Sequence, residues 1–560
     1  MSGEYIKIKK GALFLGVAII GILICGLVYA LTDNLYANLE EFRQVASVVN
    51  SHYVEDVDSE DLIKAGIKGM LDALDPYSEY LDPKQYSALL EDTHGQFEGL
   101  GIEIAIKDEW LTVISPLEDT PAERMGIQAG DRIIKIEGVS TKGIAVEEAV
   151  KKLRGKKGTV VHITIEREGI GEPMEYAIQR DVISIRAVPY YGIAQEGIGY
   201  VRLNRFSDIS ADELKEAVSE LLREDIKGLI LDLRGNPGGL LSQAVEVASV
   251  FLEPDKLVVE TKGKVKSQNK EFYSFGKPLF PELPLTVLVD EGSASGSEIV
   301  AGAIQDWDRG VIIGDTTFGK GLVQNVIQLK DGAGLKLTTA KYYIPSGRSI
   351  QKPEDLKSNI TSMEEDSGAK NEEPDSARIR QKFFTRGGRV VYGGGGITPD
   401  VVVPYEHLWP LEYNLLAKLS FFDFAVHYTA TYPQLPRDFE VDDTMLSEFK
   451  QFLKTKDFTY QTSSELELEK LKEVVTEEQR SEAINQQIEK LEKLLEAEKE
   501  NDFDRSKEYI KSEIKENILV KLYGQNAKYE EVWFEHHPQI KRAIQILSNP
   551  GEYKELLTSK

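Results

Sequence analysis

"LTVLVDEGSASGSEIVAGAIQDW", residues 285–307, contains one structural unit read straight through. Leu285 to Val289 is an unbroken apolar run, short enough for a buried strand. Ser293, Ser295 and Ser297 follow, separated only by Ala294 and Gly296. Ile299, Val300, Ala303, Ile304 and Trp307 then recur at helical spacing. Strand, small-residue loop and helix succeed one another without a spacer. "KGLILDLRGNPGG", residues 227–239, repeats this order, with Leu241, Ala244, Val245 and Ala248 on one face of the helix that follows. Such alternation across residues 183–404 predicts an α/β core.

The serines pose a chemical question. Ser295 and Glu298 have the spacing of a helix capping box, which gives one serine a purely structural role. A hydroxyl at a helix N-terminus also sits where backbone N–H groups and the helix dipole favour an oxyanion, the setting of a nucleophile. A nucleophilic serine needs a base. None of the seven histidines lies between His162 and His407, so the core supplies no histidine of its own, and one would have to come from another domain. Lysine is the other option, provided burial brings it down from its usual pKa of about 10.4. Lys320, in "VIIGDTTFGKGLVQNVIQL" (311–329), lies between two glycines, after a strand and before another. The same segment nearly spells a phosphate-binding loop. However, Gly321 stands where Ser or Thr would hold magnesium, and a strand follows where a helix is required. Nucleotide binding is therefore rejected.

The whole chain sets further bounds. At 560 residues it exceeds one core, and three or more domains are expected. A net charge of −26 argues against a general nucleic-acid binder. Cys25 is the only cysteine, so neither an intramolecular disulfide nor a Cys-ligated zinc site can form. Lys7, Lys9 and Lys10 precede an uncharged stretch, residues 11–32, long enough to span a bilayer. A cleaved signal peptide ending near Ala30 competes with an uncleaved anchor, and the length of the run favours the anchor. The expected arrangement is a single pass through a bacterial inner membrane, with residues 1–10 cytoplasmic and the folded part in the periplasm.

Residues 33–94 pattern as helix, with Leu35, Leu39, Phe42, Val45 and Val49 forming a seam. Residues 95–182 change to short strands with glycine turns. "GLGIEIAI" and "AGDRIIKIEG" there closely resemble a PDZ domain. That resemblance implies that the loop Gly99, Leu100, Gly101, Ile102 binds a peptide's C-terminal carboxylate while the peptide adds to a sheet edge. Residues 353–390, rich in Glu, Asp, Ser and Lys, read as a mobile insertion within the core. Residues 405–560 read as a helical domain, with stripes at Ile484, Ile488, Leu491, Leu495 and at Ile510, Ile514, Ile518, Leu522. Stripes of that regularity need cover, which raises the expectation of a homodimer.

"GSASGSEIVAGAIQD", "TFGKGLVQ" and "LDLRGNPGG", behind a PDZ domain, resemble the C-terminal processing peptidases, or tail-specific proteases, over about Leu39 to Pro404. The resemblance implies a crotonase-like protease core with Ser295 as nucleophile, Lys320 as general base and Gln324 orienting the lysine. It places the oxyanion hole at the N–H of Gly296 and of Gly238 or Gly239. Gly296 stands where alanine is common in the family. Ser293, Ser297, Glu298, Arg234 and Asn236 take structural roles. No metal or organic cofactor is implied. The expected activity is serine endopeptidase cleavage of polypeptides selected by their free C-termini. A catalytically inactive PDZ scaffold is the competing reading. An acyl-CoA enzyme would fit the core but explain neither the PDZ domain nor the anchor.

Overall fold

The computed structural model describes residues 36–352, 381–404, 407–478 and 480–558. The expected anchor at 11–32 lies outside them. Among the described residues no helix is long and apolar enough to cross a membrane. The chain divides into two compact units.

In the smaller unit, residues 36–52 and Ser59–Asp72 are helical. Asp58 caps the second helix by accepting from Glu60 N–H at 2.7 Å. The Phe42 ring lies over Gly66, where a Cβ would fall 2.6 Å from it, while Leu39 and Val45 stay exposed. After the helical patterning to about Leu74, the segment contains a strand, Glu79–Leu81, paired antiparallel with Gly334–Lys336. Pro76 follows the end of the helix at Asp72 and the strand comes after it, while Pro83 opens the next helix, Pro83–His94.

The larger unit holds the core. Its six-stranded sheet runs in the order Tyr190–Ile193, Ile198–Arg202, Gly228–Asp232, Leu285–Val289, Val311–Gly314, Val401–Val402. Only the first pair is antiparallel. Helices Ser210–Arg223, Leu241–Ser249 and Gly296–Asp306 cover one face, packing on Leu229, Leu231, Val287 and Ile312. The alternate side chains, Ile230, Leu288 and Ile313, point the other way. Parallel strands are stable only with both faces buried. Here the second layer comes from the far end of the chain: Phe534, Ile540, Ala543, Ile544 and Leu547, mostly of helix Pro538–Ser548.

The expected helical domain after residue 405 thus lends its last segment to the core sheet as a covering layer. The hydrophobic patterning of the helix gave no sign of which apolar face it would cover. Part of the expected insertion at 353–390 is a hairpin. Lys382–Phe384 and Val390–Tyr392 form a hairpin, held where Arg389 pairs with Asp308 at 2.7 Å and Asp400 at 2.6 Å. Residues 353–380 lie outside the described part.

The PDZ-like region is a six-stranded antiparallel sheet with helix Val146–Leu153 packed on it, around Leu111, Val113, Ile133, Val161 and Ile163. Residues Gln96–Gly99 and Asp181–Ser184 close its base as a two-stranded pair. The intervening helices have their own aromatic core, where Phe421, Phe424 and Phe449 meet Ile510, Ile514 and Ile518. The stripe at 510–518 is thus buried within the chain and presents no face to a second subunit. Ile488 joins Leu468 and Val475 in a smaller helical hairpin, Ser463–Glu477 with Glu482–Lys499, whose Ile484 and Leu491 remain exposed. Lys107 pairs with Asp423, and Lys521 donates to Ala129 O at 2.7 Å, so this helical domain also grips the PDZ-like domain.

Because Ile540 fills the back of the sheet with no exposure, Ile540→Ala is expected to cost about 2–5 kcal/mol. Chemical denaturation checks this. A loss below about 0.5 kcal/mol, the range of exposed positions, would show that the helix is a dispensable appendage.

Candidate active site

Three adjacent parallel strands end at Asp232, Val289 and Gly314, and their following loops converge. In open α/β sheets this carboxyl edge is where ligands bind. The nucleophile candidate sits there. Ser293 and Ser297 are fully buried, whereas Ser295 is half-exposed. The Ser293 hydroxyl donates to Leu233 O at 2.9 Å and the Ser297 hydroxyl to Asn236 O at 2.8 Å, so both stitch this loop to residues 233–239.

Ser295 has φ 52° and ψ −108°. The turn around it closes with Ser297 N–H donating to Ala294 O at 3.1 Å. This geometry is close to a type II′ turn, whose first central position normally holds glycine. A serine there stores about 1–3 kcal/mol of strain. Its hydroxyl makes no capping bond to the helix. The sequence spacing of a capping box is therefore only half realised. Glu298 accepts from Ser295 N–H at 2.9 Å.

Glu298 does more than this. It is fully buried, yet accepts four hydrogen bonds: Ser295 N–H and Lys320 N–H at 2.9 Å on Oε2, Gly319 N–H at 2.8 Å and the Thr317 hydroxyl at 2.5 Å on Oε1. Burial pushes its carboxyl up to about 7, against the pull of these donors. Tyr342 is a second clasp. Its buried hydroxyl reaches Ser295 O at 3.2 Å and also Lys320 O. One carboxylate and one phenol thus each touch the backbone of both Ser295 and Lys320, whose side chains are both partly exposed.

The glycine loop packs tightly onto this turn. A Cβ on Gly238 would fall 2.7 Å from both Gly296 N and Ser295 Cβ; one on Gly239 would fall 2.3 Å from Phe206 O. Both have φ values that exclude ordinary side chains, +95° and +148°. Gly238 N–H donates to Asn236 Oδ1 at 2.9 Å. At Gly296 a Cβ would lie 3.1 Å from the Phe206 ring, so an alanine there would fit with a small shift of that ring. Asp232, at the root of the loop, is buried. Burial alone would raise its carboxyl, but Arg202 at 2.8 Å and Arg234 at 2.5 Å hold it far below the usual range.

Gln324 belongs to the smaller unit, where it donates to Thr338 Oγ1 at 3.3 Å, and Thr338 donates on to Asp75 at 3.1 Å. In the PDZ-like domain, Leu100 is buried and its carbonyl accepts from Ala122 N–H at 3.0 Å; Gly101 O accepts from Leu117 N–H at 2.9 Å. Strand Ile102–Lys107 pairs with only one other strand of its sheet among the described residues, leaving an open edge. Among those residues no His, Cys, Asp and Glu cluster could hold a metal ion. The structure adds Tyr342, Thr317, Arg202, Tyr200 and His537 to the residues behind the site. None had a local sequence signal except the buried-strand position of Tyr200, and Tyr200 donates to Asp232 at 2.6 Å.

Comparison with known proteins identifies the family. Residues 197–361 match the model of peptidase family S41, residues 90–166 the PDZ domain, and residues 29–85 the activating protease CtpB N-terminal domain. Residues 411–547 match the model described as "Probable PDZ-protease, C-terminal helical domain". The carboxy-terminal-processing protease of Bartonella bacilliformis is 42% identical over 323 residues, covering 57% of this chain and 74% of that one. The carboxy-terminal processing protease CtpA of Bacillus subtilis is 38% identical over 317 residues, 56% and 67% of the two chains. Among solved structures, a photosystem II D1 C-terminal processing protease aligns at 26% identity over 66% of this chain and 92% of its own, with a TM-score of 0.35. The chain belongs to peptidase family S41, the carboxy-terminal processing serine proteases that carry a PDZ domain.

Glu298→Gln keeps the volume but turns an NH₂ group toward N–H or O–H donors. Loss of both stability and turnover is expected, with about 1–3 kcal/mol for the unsatisfied groups. The native carboxyl holds its proton up to about pH 7, while the unfolded one releases it near 4.3. Stability from this group therefore falls as pH rises through that window. Unfolding measured from pH 5 to 7 is expected to show that decline in the wild type, and a flatter profile in Glu298→Gln.

Proposed function

We propose that Ser295 and Lys320 form a serine–lysine catalytic dyad. The observation that carries this reading is the double clasp: Glu298 and Tyr342 each bond the backbone of both residues. The Ser295 hydroxyl attacks the scissile carbonyl carbon while the Lys320 amine accepts its proton. The carbonyl π electrons move to oxygen, where the N–H of Gly296, at the N-terminus of its helix, stabilises the charge. Gly238 N–H is engaged by Asn236, so Gly239 is assigned as the second donor. Collapse of the tetrahedral adduct breaks the C–N bond, and the protonated lysine gives its proton to the departing amine. A water deprotonated by Lys320 then hydrolyses the acyl-serine ester. His537, which reaches the glycine loop from the C-terminal segment, is bonded to Arg234. Burial and that charge push it down to about 3, too weak a base for this role. Gln324 as the residue orienting the lysine rests on the family resemblance.

Substrates are polypeptides with free C-termini. The open edge of Ile102–Lys107 supports strand addition there, with the tail carboxylate at the Gly99–Ile102 loop. The core reads as crotonase-like, supported by its repeated strand–loop–helix units with nucleophile and glycine loop on adjacent strands. Residues 11–32 are read as an uncleaved single-pass anchor in a bacterial inner membrane, with the protease in the periplasm. The basic flank and uncharged span support this.

Ser295→Ala, Lys320→Ala and Lys320→Arg are all expected to abolish cleavage while leaving the fold intact. Arginine fails because a guanidinium is not deprotonated in proteins. Retained turnover in either lysine variant would remove Lys320 as the base. A peptide with a free apolar C-terminus is expected to be cleaved faster than its amidated form. Equal rates would mean that the PDZ domain does not select tails.

A further inference from the structure

We infer that the C-terminal segment supplies positioning residues for the oxyanion loop: His537 and Gln539 lock Arg234, the first residue of that loop, from behind. The inference rests on the assignment of Gly239 and Ser295 above.

Arg234 is 4% exposed. One edge of its guanidinium is spent on Asp232, with Nε to Oδ1 at 2.9 Å and Nη2 to Oδ2 at 2.5 Å. Asp232 also accepts Arg234's own N–H at 3.0 Å, so side chain and backbone are fixed to one carboxylate. The other edge points away from the core strands. Nη1 lies 2.9 Å from His537 Nδ1 and 2.7 Å from Nε2, and donates to Gln539 Oε1 at 3.1 Å. Trp533 lies under the guanidinium at 5.8 Å. Gln539 is itself fixed, donating to Val403 O at 2.8 Å at the end of the last core strand. His537 remains neutral through the working pH range, so it meets the cation as an acceptor.

From Arg234 the loop runs four residues to Gly238, which touches Ser295. Other ties hold the loop to the nucleophile turn, through Gly235 N–H to Asp290 at 2.7 Å and Ala294 N–H to Asn236 O at 3.0 Å, and to the neighbouring strand's end, through Asn236 Nδ2 to Leu203 O at 2.8 Å and Phe206 N–H to Gly238 O at 3.0 Å. Arg234 is the tie at the start of the loop, toward the C-terminal segment. Without His537 and Gln539, Nη1 would be a buried donor without those acceptors, and the guanidinium would tilt to find others. The displacement would pass to the N–H that meets the oxyanion. Sub-ångström errors there reduce turnover without altering substrate affinity.

The test uses the full chain and a peptide substrate with a free C-terminus, with rates expressed per folded enzyme from parallel melting curves. His537→Ala is expected to lower kcat roughly 10- to 100-fold, with KM within about twofold. Affinity for a peptidyl boronic acid, whose tetrahedral adduct needs the same donors, should fall by the same factor as kcat. His537→Asn places an acceptor near Nδ1 and His537→Gln near Nε2, and one of the two is expected to restore both readouts. Gln539→Ala is expected to act in the same direction. Unchanged kcat in His537→Ala would overturn the inference, as would a loss that neither amide variant rescues or that leaves boronate affinity untouched. Ser295→Ala serves as control. Activity surviving in that variant would defeat the assignment of the nucleophile itself, a separate failure.

Discussion

The buried carboxylate of Glu298 is the interaction on which the site depends. It ties together two loops from different strands, one carrying Ser295 and the other Lys320, and neither loop contains regular structure that could hold the other. Four donors converge on two oxygens, and three of them come from the lysine loop. Their satisfaction offsets the cost of burying the group. It also permits the positive φ at Ser295, since Glu298 holds the strained residue by its N–H and leaves the hydroxyl uncommitted.

Behind that clasp lies a second constraint, the two-faced sheet. The strands ending at Asp232, Val289 and Gly314 carry alternate apolar side chains to both sides. One face is covered by helices next to them in sequence, the other by residues some three hundred positions later. The same late segment brings Trp533, His537 and Gln539 to Arg234. The helical domain is therefore a structural layer of the protease as well as a neighbour of the PDZ domain.

The sequence made much of this legible, for identifiable reasons. Strand–loop–helix units announce themselves through local periodicity, and Ser295, Lys320 and the glycine loop stand at the joints of such units. The PDZ-like fold was readable from its glycine turns. Long-range partners were not readable. Nothing in "WFEHHPQIKRAIQIL" says that its apolar face meets Ile230 and Leu288, or that one of its histidines meets an arginine far upstream. Tyr342 lies in an ordinary strand and acquires its role only through tertiary contact. The spacing of Ser295 and Glu298 marked a helix start, but of the two capping-box bonds the structure has Ser295 N–H to Glu298, because a cap and a strained turn share one sequence pattern.

The distant origin of the sheet's back layer also fixes an order of events during synthesis. The ribosome releases residues 228–314 long before residues 538–547. Until those emerge, Ile230, Leu288 and Ile313 have no cover and Arg234 lacks its outer partners. The nascent chain thus carries Ser295 and the glycine loop before the layer behind them exists.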